Sequence, residues 1–200
     1  MVVSDQAESI IADLRTQGIK GVAFDFDRTI TISSRGRVRK EKAPSAFEGN
    51  ISPCFRTILP RLLEEGINVG VASFSDSKGQ QGVYLTGKKL VRAFFLFHFG
   101  QDFGDRVPVV AVFPGHYQGA GACRGLGLMH PMPFNKQYHL NRLMELWQLQ
   151  SHQTMLVDDA LENLQAARND GHPVRCVRAG GGVEWDDLAH DLHILHTNHK

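Results

Sequence analysis

The acidic and hydroxyl residues of this chain gather where apolar runs stop. Phe24-Asp25-Phe26-Asp27-Arg28-Thr29 closes one run, Val71-Ala72-Ser73 a second, and Leu156-Val157-Asp158-Asp159 a third. Lys136 follows Asn135 at the start of a helical segment. Two carboxylates at i and i+2 around Phe26 fit a solvated turn poorly. Carboxylates can attack an electrophile or move a proton. Several together repel one another, and any anion, unless a hard cation sits among them. Mg²⁺ suits that place, because it takes oxygen ligands in octahedral geometry and keeps several waters. A serine hydroxyl and a lysine ammonium suit the oxygens of an anion.

The elements that must hold these residues can be read in order. Ser4 caps an amphipathic helix over 4–17 with Ile10, Ile11 and Leu14 on one face. Residues 21–27 read as a buried strand. Residues 31–50 read as a polar loop. Ser52-Pro53 starts a helix that Gly66 ends, kinked at Pro60. Strands follow at 67–72, 107–113, 154–157 and 174–177, with helices over 84–99, 136–149, 160–170 and 184–196. Residues 114–127 are glycine-rich and read as irregular. Short apolar strands separated by helices give a three-layer α/β/α, Rossmann-like sandwich around a mostly parallel sheet. Ligands of such sheets bind beyond the carboxyl ends of the strands, which is where this chain keeps its polar residues.

In order and in local context, these four signals resemble the haloacid dehalogenase superfamily. Its motifs are hhhDxDxT, hhh(S/T), a lysine, and hhhDD, and the match spans residues 20–165. The resemblance implies a phosphomonoester hydrolase that uses Mg²⁺ and an aspartyl-phosphate. Phosphomutase activity and a catalytically silent binding protein are the alternatives. Asp25 would be the nucleophile, and Asp27 the acid/base that protonates the leaving oxygen and then activates water. The metal would be held by Asp25, Asp159 and the backbone carbonyl of Asp27. Ser73 and Lys136 would bind the phosphoryl oxygens, with Lys78, Lys88 and Lys89 as rival cations. Asp158 is expected to pair with Lys136, although adjacent aspartates can exchange the two roles. Thr29 is expected to brace the loop after Asp27 by a side-chain-to-backbone bond, and Asn163 to support the site from the DDxxxN spacing.

The gaps between motifs leave little room for a cap. About forty residues separate Thr29 from Ile67, and about sixty separate Phe74 from Asn135. A single domain over 1–200 is expected, with its core at 20–180, an insert loop at 114–133 and no full cap domain. An open site admits large substrates, so a metabolite, a phosphoprotein or a nucleic-acid end each fits. The basic cluster from Arg35 to Lys42 follows the first motif and reads either as a solvated loop or as a greeting for an anionic substrate. Gly119-Ala120-Gly121-Ala122-Cys123-Arg124-Gly125 lacks the dinucleotide-binding spacing; His116 and Arg124 there are possible substrate contacts. His190, His193, His196 and His199 read as a terminal tract in preference to a zinc site.

At 200 residues, a chain of this size can bury about 70% of its unfolded surface, enough for a core without disulfides. With 42% hydrophobic and 22% charged residues, general disorder is excluded. A net charge of +1 excludes a global basic field. Cys54, Cys123 and Cys176 are few and scattered, and no leader-like or membrane-spanning run is visible. A cytoplasmic setting is therefore expected, with the oligomeric state open.

Overall fold

The computed structural model describes residues 3–34, 36–75, 82–178 and 181–189. Arg35, Lys78 and the four C-terminal histidines lie outside them. In chain order the main elements are α1 Val3–Thr16, β1 Gly21–Phe24, β2 Arg37–Arg39, α2 Ala43–Phe47, α3 Pro53–Glu64, β3 Asn68–Ser73, β4 Tyr84–Thr86 and α4 Gly87–Phe99. They continue with β5 Val109–Ala111, α5 Ala120–Arg124, α6 Gln137–Trp147, β6 Thr154–Asp158, α7 Leu161–Asn169, β7 Val174–Cys176 and α8 Trp185–Ala189.

Five strands form one parallel sheet in the order β5-β3-β1-β6-β7. Their near-continuous apolar character follows from cover on both faces. Val22 and Phe24 of β1 join Val69, Val71, Met155 and Val157 in a core with α1, α3 and α4. Ala23, Ala72 and Leu156 point the other way, against Leu140 and Leu143 of α6 and Leu164 of α7. The second face uses small residues because α6 lies close to it. A Cβ on Gly70 would fall 2.7 Å from Leu143 and from Trp147.

The expected three layers are present, and four details differ. The strand expected over 21–27 stops at Phe24, because the backbone turns at the acidic residues. Residues 31–50 are not all loop: β2 pairs antiparallel with β4 in a separate two-stranded ribbon. β4 also takes the first residues expected for the helix over 84–99. The glycine-rich stretch contains a 3-10 turn, Pro114–Tyr117, and then α5.

Candidate active site

The order β3-β1-β6 sets three strand ends side by side, with β1 in the middle. Phe24 lies opposite Val71 on one neighbour and Val157 on the other. Asp25, one residue on, is therefore level with Ala72 and Asp158. Its backbone N–H still bonds Val157 O at 2.9 Å, so the first acidic residue remains anchored to the sheet.

Beyond Asp25 the chain makes a wide turn, closed by Ile30 N–H to Asp25 O and Thr31 N–H to Phe26 O. Inside it Asp27 is extended and Arg28 is left-handed, with φ of 62°. The side chain that braces this turn is Thr31. Its hydroxyl accepts from Arg28 N–H at 3.1 Å and lies 3.1 Å from Phe26 O and 2.8 Å from Ser33 O. Thr29, expected in that role, is fully buried, and its hydroxyl has no hydrogen-bond partner among the described residues. Thr29 contributes through its backbone, accepting from Val183 N–H at 2.8 Å.

Lys136 enters from the start of α6, where Asn135 Oδ1 accepts the Gln137 N–H. The lysine is 1% exposed. Its ammonium donates to Asp25 Oδ1 and to Ala72 O, each at 2.7 Å, and lies 3.9 Å from the Phe74 ring centre. A buried cation needs such partners to offset its lost hydration. The expected partner, Asp158, is instead held by Asn163 Nδ2 at 3.0 and 3.1 Å and by Ala160 N–H at 2.8 Å. Lys136 acts on Asp158 only through space. Lys88 and Lys89 are exposed on α4.

Oxygens of Asp25, Asp158 and Asp159 all lie within 4.8 Å of one another. The Asp27 carboxylate is not part of that cluster. Burial, and then the nearby Asp25 carboxylate, push the Asp158 carboxyl up to about 7. The same two causes raise Asp159, against the opposing charges of Arg28 and Lys136. Three crowded carboxylates with hard oxygens and one bonded ammonium are a donor set that fits Mg²⁺.

Ser73 is buried at the end of β3. Its hydroxyl accepts Ser75 N–H at 3.0 Å. His139, one turn beyond Lys136, went unnoticed in the sequence. It is fully buried, and its Nε2 lies 3.0 Å from both Ser73 O and Val112 O. Two carbonyl acceptors require a proton on Nε2. Burial and then Lys136 lower its pKa to about 3, so the ring is neutral. A histidine three residues after a lysine on one helix was the available signal. Arg28 and Phe74 also stand beside the site, and nothing in their spacing marked them.

No protein-family model matches the chain, and no curated protein matches it significantly. Among solved structures it resembles DsGPDH of Dunaliella salina, with a TM-score of 0.50 and 16% identity over 89% of this chain. The match spans only 29% of that protein's chain. A haloacid dehalogenase-like family hydrolase, SP0104 from Streptococcus pneumoniae, aligns with a TM-score of 0.43 at 16% identity, covering 86% of this chain and 90% of that one. CbbY from Rhodobacter sphaeroides, in complex with phosphate, aligns at 0.39 and 12% identity, covering 84% and 88%. At 16% identity the likeness to DsGPDH is one of fold alone.

Proposed function

We propose that this chain, whose five-stranded parallel sheet sets motifs resembling those of the haloacid dehalogenase superfamily at its strand ends, is a Mg²⁺-dependent phosphomonoester hydrolase acting through an aspartyl-phosphate. The observation that carries the reading is the Asp25 carboxylate. It sits at the end of the central strand, held by Lys136 at 2.7 Å and crowded by Asp158 and Asp159. A carboxylate that is oriented, nearly buried and surrounded by like charge is unusual unless it reacts or binds metal.

Phosphoryl transfer needs in-line positioning and charge neutralisation. An oxygen of Asp25 attacks phosphorus, and the bond to the leaving oxygen breaks. Asp27 gives that oxygen its proton. Water then attacks the acyl phosphate while Asp27 takes its proton back, and inorganic phosphate departs with Asp25 restored. Lys136 fixes the Asp25 carboxylate and adds positive charge near the transferring group. The Ser73 hydroxyl donates to a phosphoryl oxygen. Asp25, Asp159, the Asp27 carbonyl and, from its position in the cluster, Asp158 would hold Mg²⁺. Bound there, Mg²⁺ would neutralise the charge of phosphate and carboxylates. Asn163 keeps Asp158 in place.

Hydrolysis of p-nitrophenyl phosphate with Mg²⁺, with chelator, and by Asp25→Asn tests the proposal. Activity should need the metal and fall by several orders of magnitude in the variant. Rapid quench with labelled substrate should trap phosphate on the wild type. A folded Asp25→Asn protein with near wild-type turnover would overturn the assignment.

A further inference from the structure

The ribbon of β2 and β4 lies outside the chemistry above, yet it concentrates charge. Arg37, Arg39, Lys40 and Lys42 are all exposed, with Glu41 the one acid among them. Arg37 and Arg39 are two positions apart on one strand and share a face, about 6.6–7 Å apart along it. Val38 between them is buried. The Arg37 and Arg39 guanidiniums lie over the Tyr84 ring at 5.3 and 5.9 Å from its centre. Beside this stack runs an open groove of about 300 Å³ lined by Arg37, Arg39, Lys42 and Tyr84, with Val38, Ser45 and Ala46. Among the described residues, three cations and no acid line it. Arg39 and Glu41 are 3.2 Å apart, but both are more than half exposed, so that pair competes weakly with a ligand.

The ribbon is also fastened to the site. Ser75 N–H donates to the Ser73 hydroxyl, and Ser75 Oγ donates to Gly36 O at 2.7 Å and accepts Gly87 N–H at 2.9 Å. One buried serine therefore ties the start of β2 and the end of β4 to the strand end that carries Ser73.

We propose that this face binds single-stranded nucleic acid, so that the substrate is a phosphorylated strand end; the substrate part rests on the phosphohydrolase reading. Charge complementarity points to a polyanion. Cations repeating along an extended strand follow a backbone whose negative charges also repeat. An aromatic ring with two guanidiniums over it offers cation–π and stacking partners to bases. An acidic peptide has no run of planar groups to use them. A lipid surface would call for an exposed apolar anchor, and the lining valine is buried.

The test is fluorescence anisotropy of the full chain with a labelled 12-nucleotide oligothymidylate bearing a 3′-phosphate, in chelator and 50 mM salt. Binding should be micromolar, with a log–log salt slope of about −2 for three phosphate contacts. Arg37→Ala with Arg39→Ala should weaken it at least tenfold and flatten the slope by about 1.4. Tyr84→Leu should weaken it at least fivefold with the slope unchanged, and Tyr84→Phe should restore it. Absence of binding, or binding indifferent to the arginine pair, overturns the inference. So does tighter binding of an equally charged phosphopeptide or an anionic vesicle through the same residues. Aryl phosphate hydrolysis is scored separately on the wild type. Hydrolysis without oligonucleotide binding ends this inference alone. Binding without hydrolysis ends the phosphatase reading, and with it the substrate part, and leaves a nucleic-acid surface.

Discussion

Asp27 and Asp158 are both acidic, and their surroundings separate their tasks. Asp27 sits where the chain bends, partly exposed and outside the carboxylate cluster. If it serves the leaving oxygen, Asp27→Asn should depress hydrolysis of an alkyl phosphate far more than that of nitrophenyl phosphate, whose leaving group departs unaided. Phosphate should also accumulate on Asp25. Equal losses on both substrates, with no accumulation, would leave Asp27 a structural residue. Asp158 carries a linkage that stability can read. Its folded pKa of about 7 lies above the unfolded value near 4. The metal-free fold therefore holds an extra proton between those values, and its stability falls as pH rises from about 4 through about 7. Bound Mg²⁺ favours the ionised carboxylate. At one Mg²⁺ concentration, the rise in Tm should thus be larger at pH 8 than at pH 6, and Asp158→Asn should flatten the difference. Equal shifts at both pH values would argue against Asp158 as part of the metal site.

Among the elements, the close contact of α6 with the sheet is what brings Lys136 and His139 to the strand ends. Gly70→Ala puts a methyl 2.7 Å from Leu143 and Trp147, neither of which is a loose surface tip. It should cost about 1–3 kcal/mol. At this chain length that lowers Tm by several degrees. Gly121→Ala, in α5 with open space around it, should be neutral or slightly stabilising. Thermal melts of the two variants decide the matter, and equal Tm values would mean that α6 has room to shift. The same contrast explains what the sequence disclosed. β1, β3 and β6 were legible because burial on both faces leaves an unbroken apolar run. The ribbon was not, since Arg37-Val38-Arg39 and Tyr84-Leu85-Thr86 are three residues each and find their partners far along the chain. Asp25, Lys136, Asp159 and Asn163 were legible from motif spacing. The bracing of the turn by Thr31 was not, because it depends on a left-handed Arg28 that no spacing reveals.

For the whole molecule, the sheet gathers into one place residues that run from Asp25 to Asn163. None of its described helices is long and apolar enough to cross a membrane. The two halves of the ribbon flank the strand that bears Ser73, so its pairing joins residues about 47 positions apart in sequence through three residue pairs. Such a contact repays little of the entropy of closing its loop. It should therefore form late in folding, after the parallel strands have registered, and open first in the native state. Amide hydrogen exchange should show this as fast, locally governed exchange at the paired amides of β2 and β4, while β1, β3 and β6 exchange only with global unfolding. A slow ribbon, exchanging with the sheet, would show that the Ser75 fastening makes them one cooperative unit. If the ribbon is soft, a ligand seated on it is registered as a delay in the clock of these few amides, with the rest of the protein keeping its own time.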